Sequence, residues 1–368
     1  MPHPIRPIHT VELFRYALPL REALTTQANK PENATREGLL VVLRDAALTI
    51  GIGEVAPLPG LHRESLAEAE AQTISTLALI RHESTNAEEM LSSELFPSVR
   101  CGLEMALISL RARQNGTMPS QSPRASMMPS RTPLNALIAG NSTTIVHRAE
   151  EAVRDGYTTL KIKVGRVSLE EDIANIRACR EAVGSDIALR LDANRSWSLE
   201  TALRLGEALH DCNIAYIEEP LKDWRGIPAF HEQTGICVAL DEMLTSPDAS
   251  ERAARTDIPS ECLAGYVLKP SAIGSIMGAS NLASEAQARG LDAIVSSVFE
   301  TGVALGFYAA LTVSWNDGRS VACGLDTYKF LAADVLEHPF SAEQGFARLP
   351  DVWNQSTLLR PDFLKKVF

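Results

Sequence analysis

The stretch TLKIKVG, residues 159–165, sets two lysines two positions apart in an otherwise apolar run. Successive side chains of a β-strand point to opposite faces, so Lys161 and Lys163 share one face and Leu160, Ile162 and Val164 share the other. Such a strand is either the solvated side of a sheet or the lining of a polar interior, and the neighbouring segments decide between these. From about residue 133 onward, short β-branched runs alternate with helical stretches, and strands are expected at 135–140, 158–165, 187–194, 214–220, 237–242, 265–270, 291–298 and 322–325. Helical spacing of apolar residues marks 169–183, 199–210 and 275–289, with Gly184 and Gly290 placed as C-caps. Strand and helix repeated this often imply parallel pairing with helices outside, and eight such units predict a closed (β/α)8-type barrel. An open doubly wound sheet is the alternative; it would carry a glycine-rich phosphate loop after its first strand, and the AGN tripeptide at 139–141 is not one.

Residues 1 to about 118 read differently. HTVELFRYALPL (9–20) and LLVVLRDAALTIGIGEVA (39–56) predict antiparallel strands, the second broken by an Arg-Asp turn, and 63–82 and 98–114 predict amphipathic helices. Gly51 and Gly53 lead into EVAPLPG and not into a helix, so they read as a turn or bulge. The Pro- and Ser-rich MPSQSPRASMMPSRTP (118–133) reads as a linker or long loop, and the polar TTQANKPENATREG (25–38) as a mobile lid or an ordinary exposed loop. At 368 residues and 45% hydrophobic content the chain suffices for about two domains with a large core. A net charge of -11 argues against nucleic-acid and anionic-membrane partners and leaves the oligomeric state open. Six scattered cysteines suggest neither a zinc knot nor a disulfide framework, and no signal peptide or membrane-spanning run is recognisable. A reduced, cytoplasmic protein is expected.

In a barrel of this kind functional side chains sit at the C-terminal strand ends. Lys163 closes the second strand, Asp192 and Asn194 the third, Glu218 and Glu219 the fourth, Asp241 and Glu242 the fifth and Lys269 the sixth. Acids converging from three strand ends repel unless a cation lies among them. Carboxylates without histidine or cysteine suit a hard divalent ion, Mg2+ above others; the alternative is a closed network of salt bridges with Lys161, Lys163, Lys269 and Arg190. Lysines at i and i+2 stand roughly 6.7 Å apart and repel by about 2.5 kcal/mol at an effective dielectric of 20. This draws the pKa of Lys163 well below the ordinary lysine value and fits it to act as a base.

At these residues the chain resembles the enolase superfamily, and within it the lysine-dependent, muconate cycloisomerase-like subgroup. The matching motifs are KIK (161–163), DAN (192–194), EEP (218–220), DE (241–242) and KP (269–270). GEVAPLPG (53–60), PSVRCGLEMAL (97–107), LRLDANRSW (189–197), IVSSVFETGVAL (294–305) and GLDT (324–327) resemble the o-succinylbenzoate synthase family in particular. The match is strongest over 158–327 and thin over 20–38. No histidine lies near the seventh strand, which disfavours the mandelate-racemase-like branch.

The resemblance implies a (β/α)7β TIM-like barrel over 129–330 and an N-terminal α+β capping domain over 1–128, with 331–368 packing back on it. It implies Asp192, Glu218 and Asp241 as ligands of Mg2+, for which Mn2+ can substitute, with Glu219 and Glu242 outside the ligand set. The implied reaction is the syn-dehydration of a small carboxylate, 2-succinyl-6-hydroxy-2,4-cyclohexadiene-1-carboxylate, to 2-succinylbenzoate on the route to menaquinone or phylloquinone. Lys163 would take the α-proton and return it to the departing hydroxyl, Lys269 would stay cationic beneath the ring and Lys161 would tune Lys163, while the metal stabilises the enediolate. Ser296, Ser297 and the backbone at Gly324 are candidates for the succinyl tail, unless the serines only satisfy strand-end carbonyls. Arg190 would orient Lys163 or a ligand, or form a structural ion pair, and Asn194 would support the metal shell. The rival activities are N-acylamino acid racemase, dipeptide epimerase and muconate cycloisomerase of the same superfamily, and, from another class, a Schiff-base aldolase using Lys163 or Lys269.

Overall fold

A computed structural model describes residues 6–21, 35–82, 87, 91–119, 129–140 and 144–368. Most of the expected lid and the middle of the expected linker lie outside these residues. The N-terminal region is an antiparallel meander of β1 (Ile8–Pro19), β2 (Thr35–Asp45) and β3 (Ile50–Val55), backed by helices α1 (Leu66–His82) and α2 (Pro97–Gln114). The β2–β3 turn falls at the expected Arg-Asp pair: the Asp45 carboxylate accepts the backbone N–H groups of Ala47 and Thr49 at 2.9 and 2.8 Å, the local bonding that makes aspartate a turn residue.

The reading of Gly51 and Gly53 as a turn or bulge is wrong. Both lie inside β3, and the reason for glycine is the approach of a helix. A Cβ at Gly53 would stand 1.9 Å from the Gly102 carbonyl oxygen, and one at Gly51 would stand 2.4 Å from that of Ala106. The backbone of α2 rests directly on the sheet, and a side chain at either position would hold it off.

The barrel follows. After β4 (Arg131–Pro133) come β5 (Ala136–Ile138), α3 (Ile145–Arg154), β6 (Thr159–Lys163), α4 (Leu169–Val183), β7 (Ala188–Asp192), α5 (Leu199–Ala208), β8 (Ile214–Glu218), α6 (Ile227–Thr234) and β9 (Val238–Leu240). Then come α7 (Glu242–Thr245), α8 (Ala249–Ala254), β10 (Leu263–Leu268), α9 (Pro270–Ile273), α10 (Ile276–Ala288), β11 (Asp292–Val295) and α11 (Gly302–Ser314). Strands β5 to β11 form one seven-stranded parallel sheet in sequence order. Ser168, Ser198 and Ser275 cap α4, α5 and α10 by accepting the N–H groups of Glu171, Thr201 and Gly278, each satisfying a donor the helix cannot. The expected eighth strand is reduced to single bridges, Cys323 to Leu134 and Gly324 to Ser296. With the bonds from Asn135 N to Cys323 O and from Gly324 N to Val295 O, both near 2.8 Å (2.9 and 2.7 Å), these bridges carry the ring round from β11 to β5.

The C-terminal residues return past the barrel. β12 (Phe346–Arg348) pairs with β4, α12 (Leu349–Gln355) packs against α11, and β13 (Leu364–Lys366) adds to β1 with Phe14 opposite Lys366. Two buried carboxylates join the N-terminal region to the barrel at helix N-termini, where free N–H groups and the helix dipole favour negative charge. Glu104 of α2 accepts from Ser275 Oγ (2.9 Å) and Met277 N (3.1 Å) at α10. Glu54 of β3 accepts from Thr301 N (2.9 Å), Thr301 Oγ1 (2.7 Å) and the Tyr16 hydroxyl (2.5 Å) at the start of α11. Every residue of α11 is buried.

Burial raises the Glu54 pKa from 4.5 to about 7, against the lowering effect of the Tyr16 and Thr301 hydrogen bonds. The folded chain therefore holds a proton that the unfolded chain releases. The stability linked to this proton is full below about pH 4.5 and is lost as pH rises through about 7. Across that window wild-type unfolding free energy in urea should fall by about 3 kcal/mol more than that of Glu54→Gln, which cannot ionise. Parallel curves for the two proteins between pH 5 and 8 would refute the assignment.

Candidate active site

The apolar alternation of β6 packs Leu160 and Ile162 into the barrel wall and turns Lys161 and Lys163 inward. Register then brings the acids to them: Lys163 lies beside Asp192, and Asp192 beside Glu218. Lys161 Nζ reaches Asp192 Oδ2 at 2.8 Å and Glu218 at 2.7 Å. Lys163 Nζ reaches the same Asp192 oxygen at 2.6 Å and Asn194 Oδ1 at 3.0 Å. Across the barrel, Lys269 donates to Asp241. Asp192, Glu218 and Asp241 are at most 2% exposed. A cavity of about 300 Å³ opens over this cluster, and Lys161, Lys163, Asp192, Asn194, Asp241, Lys269, Ser296, Ser297 and Gly324 all line it.

The three lysines are tuned differently. Burial and the neighbouring Lys161 charge hold Lys163 below the ordinary lysine pKa despite Asp192; burial is the larger cause, so lysine–lysine repulsion is only part of the effect expected from the sequence. For Lys161 burial opposes the charged form, but Asp192, Glu218 and Asp241 outweigh it and its pKa is raised. Lys269 likewise stays raised against burial through Asp241 and Glu218. Among the acids, Asp192 is driven below the usual carboxylate range because Lys161, Lys163 and Lys269 overcome burial. Glu218 is pushed up to about 7 by burial and by the Asp192 charge.

Other expected residues fall elsewhere. Arg190 touches neither Lys163 nor an acid of the cluster: it donates to the Ala322 carbonyl (2.7 Å) and Asn135 Oδ1 (3.3 Å), and its guanidinium lies 5.0 Å from the Tyr216 ring centre. Its strand position puts it one layer below Asp192, where it ties β7 to the closing segment. Asn194 bridges Lys163 and Glu242, donating to the latter at 2.8 Å. The Ser297 hydroxyl lies 3.1 Å from Gly324 O and 2.7 Å from Thr327 Oγ1, and Ser296 Oγ lies 3.4 Å from Gly324 O; both serines face the cavity and also serve a strand-end carbonyl.

Sequence reasoning did not find the apolar wall of the cavity. Leu58, Leu61, Val298, Phe299 and Phe330 form it, with Phe299 and Phe330 edge to face at 5.4 Å. Arg36 fastens this wall by donating to the carbonyls of Ala56, Pro57, Val298 and Phe299. The only signal for it was that Leu58 lies inside the quoted GEVAPLPG motif and Val298 and Phe299 inside IVSSVFETGVAL.

Among the described residues no group of three or more His, Cys, Asp or Glu side chains is gathered so as to hold an ion as it stands; the ammonium groups of the three lysines sit against the acids instead. The donor chemistry nevertheless fits a hard divalent cation, all carboxylate oxygen with no soft ligand, and Asp192 Oδ1 is a buried oxygen without a partner. Asp192, Glu218 and Asp241 are the residues that could hold one, the lysines giving way.

Residues 144–353 match the family described as Enolase C-terminal domain-like, and residues 8–110 match the MenC N-terminal domain. The chain belongs to the enolase superfamily. Among relatives in the superfamily, o-succinylbenzoate synthase of Haemophilus influenzae is 30% identical over 328 residues, 88% of this chain and 91% of that one. The synthase of Yersinia enterocolitica is 31% identical, over 88% and 92% of the two chains. The chloroplastic protein PHYLLO of Arabidopsis thaliana is 31% identical over 89% of this chain, which spans only 21% of that longer protein. The superfamily fold is shared with the L-Ala-D/L-Glu epimerase of Bacillus subtilis, at a TM-score of 0.76 and 23% identity over 93% of this chain and 96% of that one. It is shared too with a dipeptide epimerase of Enterococcus faecalis complexed with Mg and L-Leu-L-Tyr, at 0.75 and 22% over 93% and 99%. No helix among the described residues of this superfamily member is long and apolar enough to cross a membrane.

Removing one partner of a buried ion pair leaves the other uncompensated. Lys161→Met keeps the apolar stem but strips the charge from between Asp192 and Glu218. In metal-free buffer it should lower the unfolding free energy by about 3–5 kcal/mol in urea titration; a loss below about 1 kcal/mol would show that this lysine does not hold the acids together.

Proposed function

We propose that this enzyme is an o-succinylbenzoate synthase, a carbon–oxygen lyase that dehydrates 2-succinyl-6-hydroxy-2,4-cyclohexadiene-1-carboxylate to 2-succinylbenzoate. The observation that carries the reading is the convergence of Lys163, Lys269, Asp192 and Asp241 on one cavity, with Glu218 held to the same cluster by Lys161, in a chain about 30% identical over most of its length to bacterial synthases of that name. A divalent ion, Mg2+ above others, held by Asp192, Glu218 and Asp241, would supply electrostatic stabilisation of the substrate carboxylate as negative charge develops on it. Lys163, with its lowered pKa, is the group able to accept the α-proton and pass it to the departing hydroxyl on the same face. Lys269, held cationic by Asp241 and Glu218, opposes the developing anion from across the cavity. Lys161 keeps Asp192 ionised beside Lys163 and partly offsets the burial that raises the Glu218 pKa. The leucine and phenylalanine wall excludes water from the ring, and the serines with Gly324 are the polar surface available to the succinyl tail. Loss of the hydroxyl leaves an aromatic ring, so the elimination is strongly downhill once the proton has moved.

A second reading is favoured by one feature, the presence of a lysine on each side of the cavity, which also suits removal and return of a proton on opposite faces, as an amino-acid racemase or epimerase requires. The cyclohexadiene carboxylate plus Mg2+ should give the ultraviolet absorbance of an aromatic product, and no such product with folded, Mg2+-supplied enzyme would sink the synthase reading. Lys163→Ala should lower kcat by about 10²–10⁴-fold, the usual weight of a general acid–base group. Lys269→Arg should leave measurable dehydration because the charge is kept; α-proton exchange of N-succinylamino acids in deuterated water, abolished by the same substitution, would instead mark a racemase.

A further inference from the structure

The segment that follows the β7 acid takes an unusual path. Asn194 and Arg195 have φ of 45° and 59°, and Glu219 at the end of β8 has 39°. Left-handed backbone at a residue with a side chain is strained and persists only where the surroundings hold it. Here each neighbour holds the next. Arg195 N donates to Glu219 O at 2.7 Å, and Glu219 N to Ala239 O at 3.0 Å. The Arg195 side chain reaches Glu219 Oε2 at 2.9 Å and Glu251 Oε1, on α8, at 2.6 Å. The other Glu219 oxygen accepts the backbone N–H groups of Asp241 (3.0 Å) and Met243 (2.9 Å).

Glu219 is 2% exposed and points away from the cavity, yet it grips the backbone on which the Asp241 carboxylate is carried. Among the described residues the side-chain partner of that carboxylate is Lys269, a group that must yield if a cation is to enter. The direction of Asp241 then depends on its own backbone, and that is set by Glu219 and, through it, by Arg195. We propose that Arg195 and Glu219 are a positioning pair that aims Asp241 and thereby sets the affinity of the site for a divalent cation. The inference rests on the metal reading given under Proposed function.

The test is calorimetric titration of Mg2+ into full-length protein without substrate, alongside circular dichroism and the thermal unfolding midpoint. Asp192→Asn serves as the control that locates the binding. Glu219→Ala and Arg195→Ala should bind Mg2+ about 10–100-fold more weakly than wild type, the range expected when the support of a metal ligand is removed. Glu219→Gln keeps an oxygen for the Asp241 and Met243 N–H groups and should fall between wild type and Glu219→Ala. Arg195→Lys cannot fork to both acids and should resemble Arg195→Ala. Should the alanine variants fail to fold, the glutamine and lysine variants carry the comparison. Wild-type affinity in folded variants would overturn the positioning role alone; a wild type that binds no Mg2+, or binds it equally well after Asp192→Asn, would overturn the metal reading and the pair's role together.

Discussion

Three carboxylates and three ammonium groups share the mouth of this barrel, and most of the structure serves to hold them there. Withdrawing a single carboxylate from water without a counter-charge costs several kcal/mol, so neither set could be buried alone. Each acid is matched to a lysine: Asp192 to Lys161 and Lys163, Glu218 to Lys161, Asp241 to Lys269. The matching is uneven, and this gives the cluster its chemistry. Lys163, nearest the rim, gains too little from Asp192 to offset burial and the adjacent ammonium, and it is the one lysine of the three whose pKa falls. A difference of neighbours, with no difference of residue type, separates a lysine of lowered pKa from two of raised pKa.

The scaffold explains how such a cluster can be assembled from distant parts of the chain. A parallel strand delivers its last residue to the same end of the barrel as every other strand, so one acid per strand end suffices and no loop has to be fitted to another. The N-terminal region then closes the remaining side. Its two interface carboxylates are placed on helix N-termini, and Arg36 binds four carbonyls around the cavity rim, so the apolar wall is fixed by polar contacts behind it.

The strand ends could be read in the sequence because each joins an apolar run to an ionisable residue, a pattern that β6 to β10 repeat. Which acid of each pair joins the lysines came from the family resemblance, since alternation puts Glu218 and Glu219 on opposite faces without saying which face is inward. What could not be read depends on neighbours remote in sequence. Helix α11 shows no amphipathic period because it is buried on every side, and it was not anticipated. The last strand is too short to be more than two bridges. Gly51 and Gly53 have the same composition whether they form a turn or receive a helix, and only the position of α2 distinguishes the two. Arg190 and Arg195 stand within five residues of each other near one acid, yet the first braces the barrel closure and the second reaches Glu219; nothing local assigns those roles.

Helix α11 is counted among the barrel helices, but its surface is divided between owners. Its first turn receives Glu54 from β3 and Asp334 from the returning chain, and its flank receives α12. Neither half of the molecule therefore contains a complete boundary of its own. Recombination between relatives that exchanged one half without the other would leave this helix facing side chains chosen for a different partner.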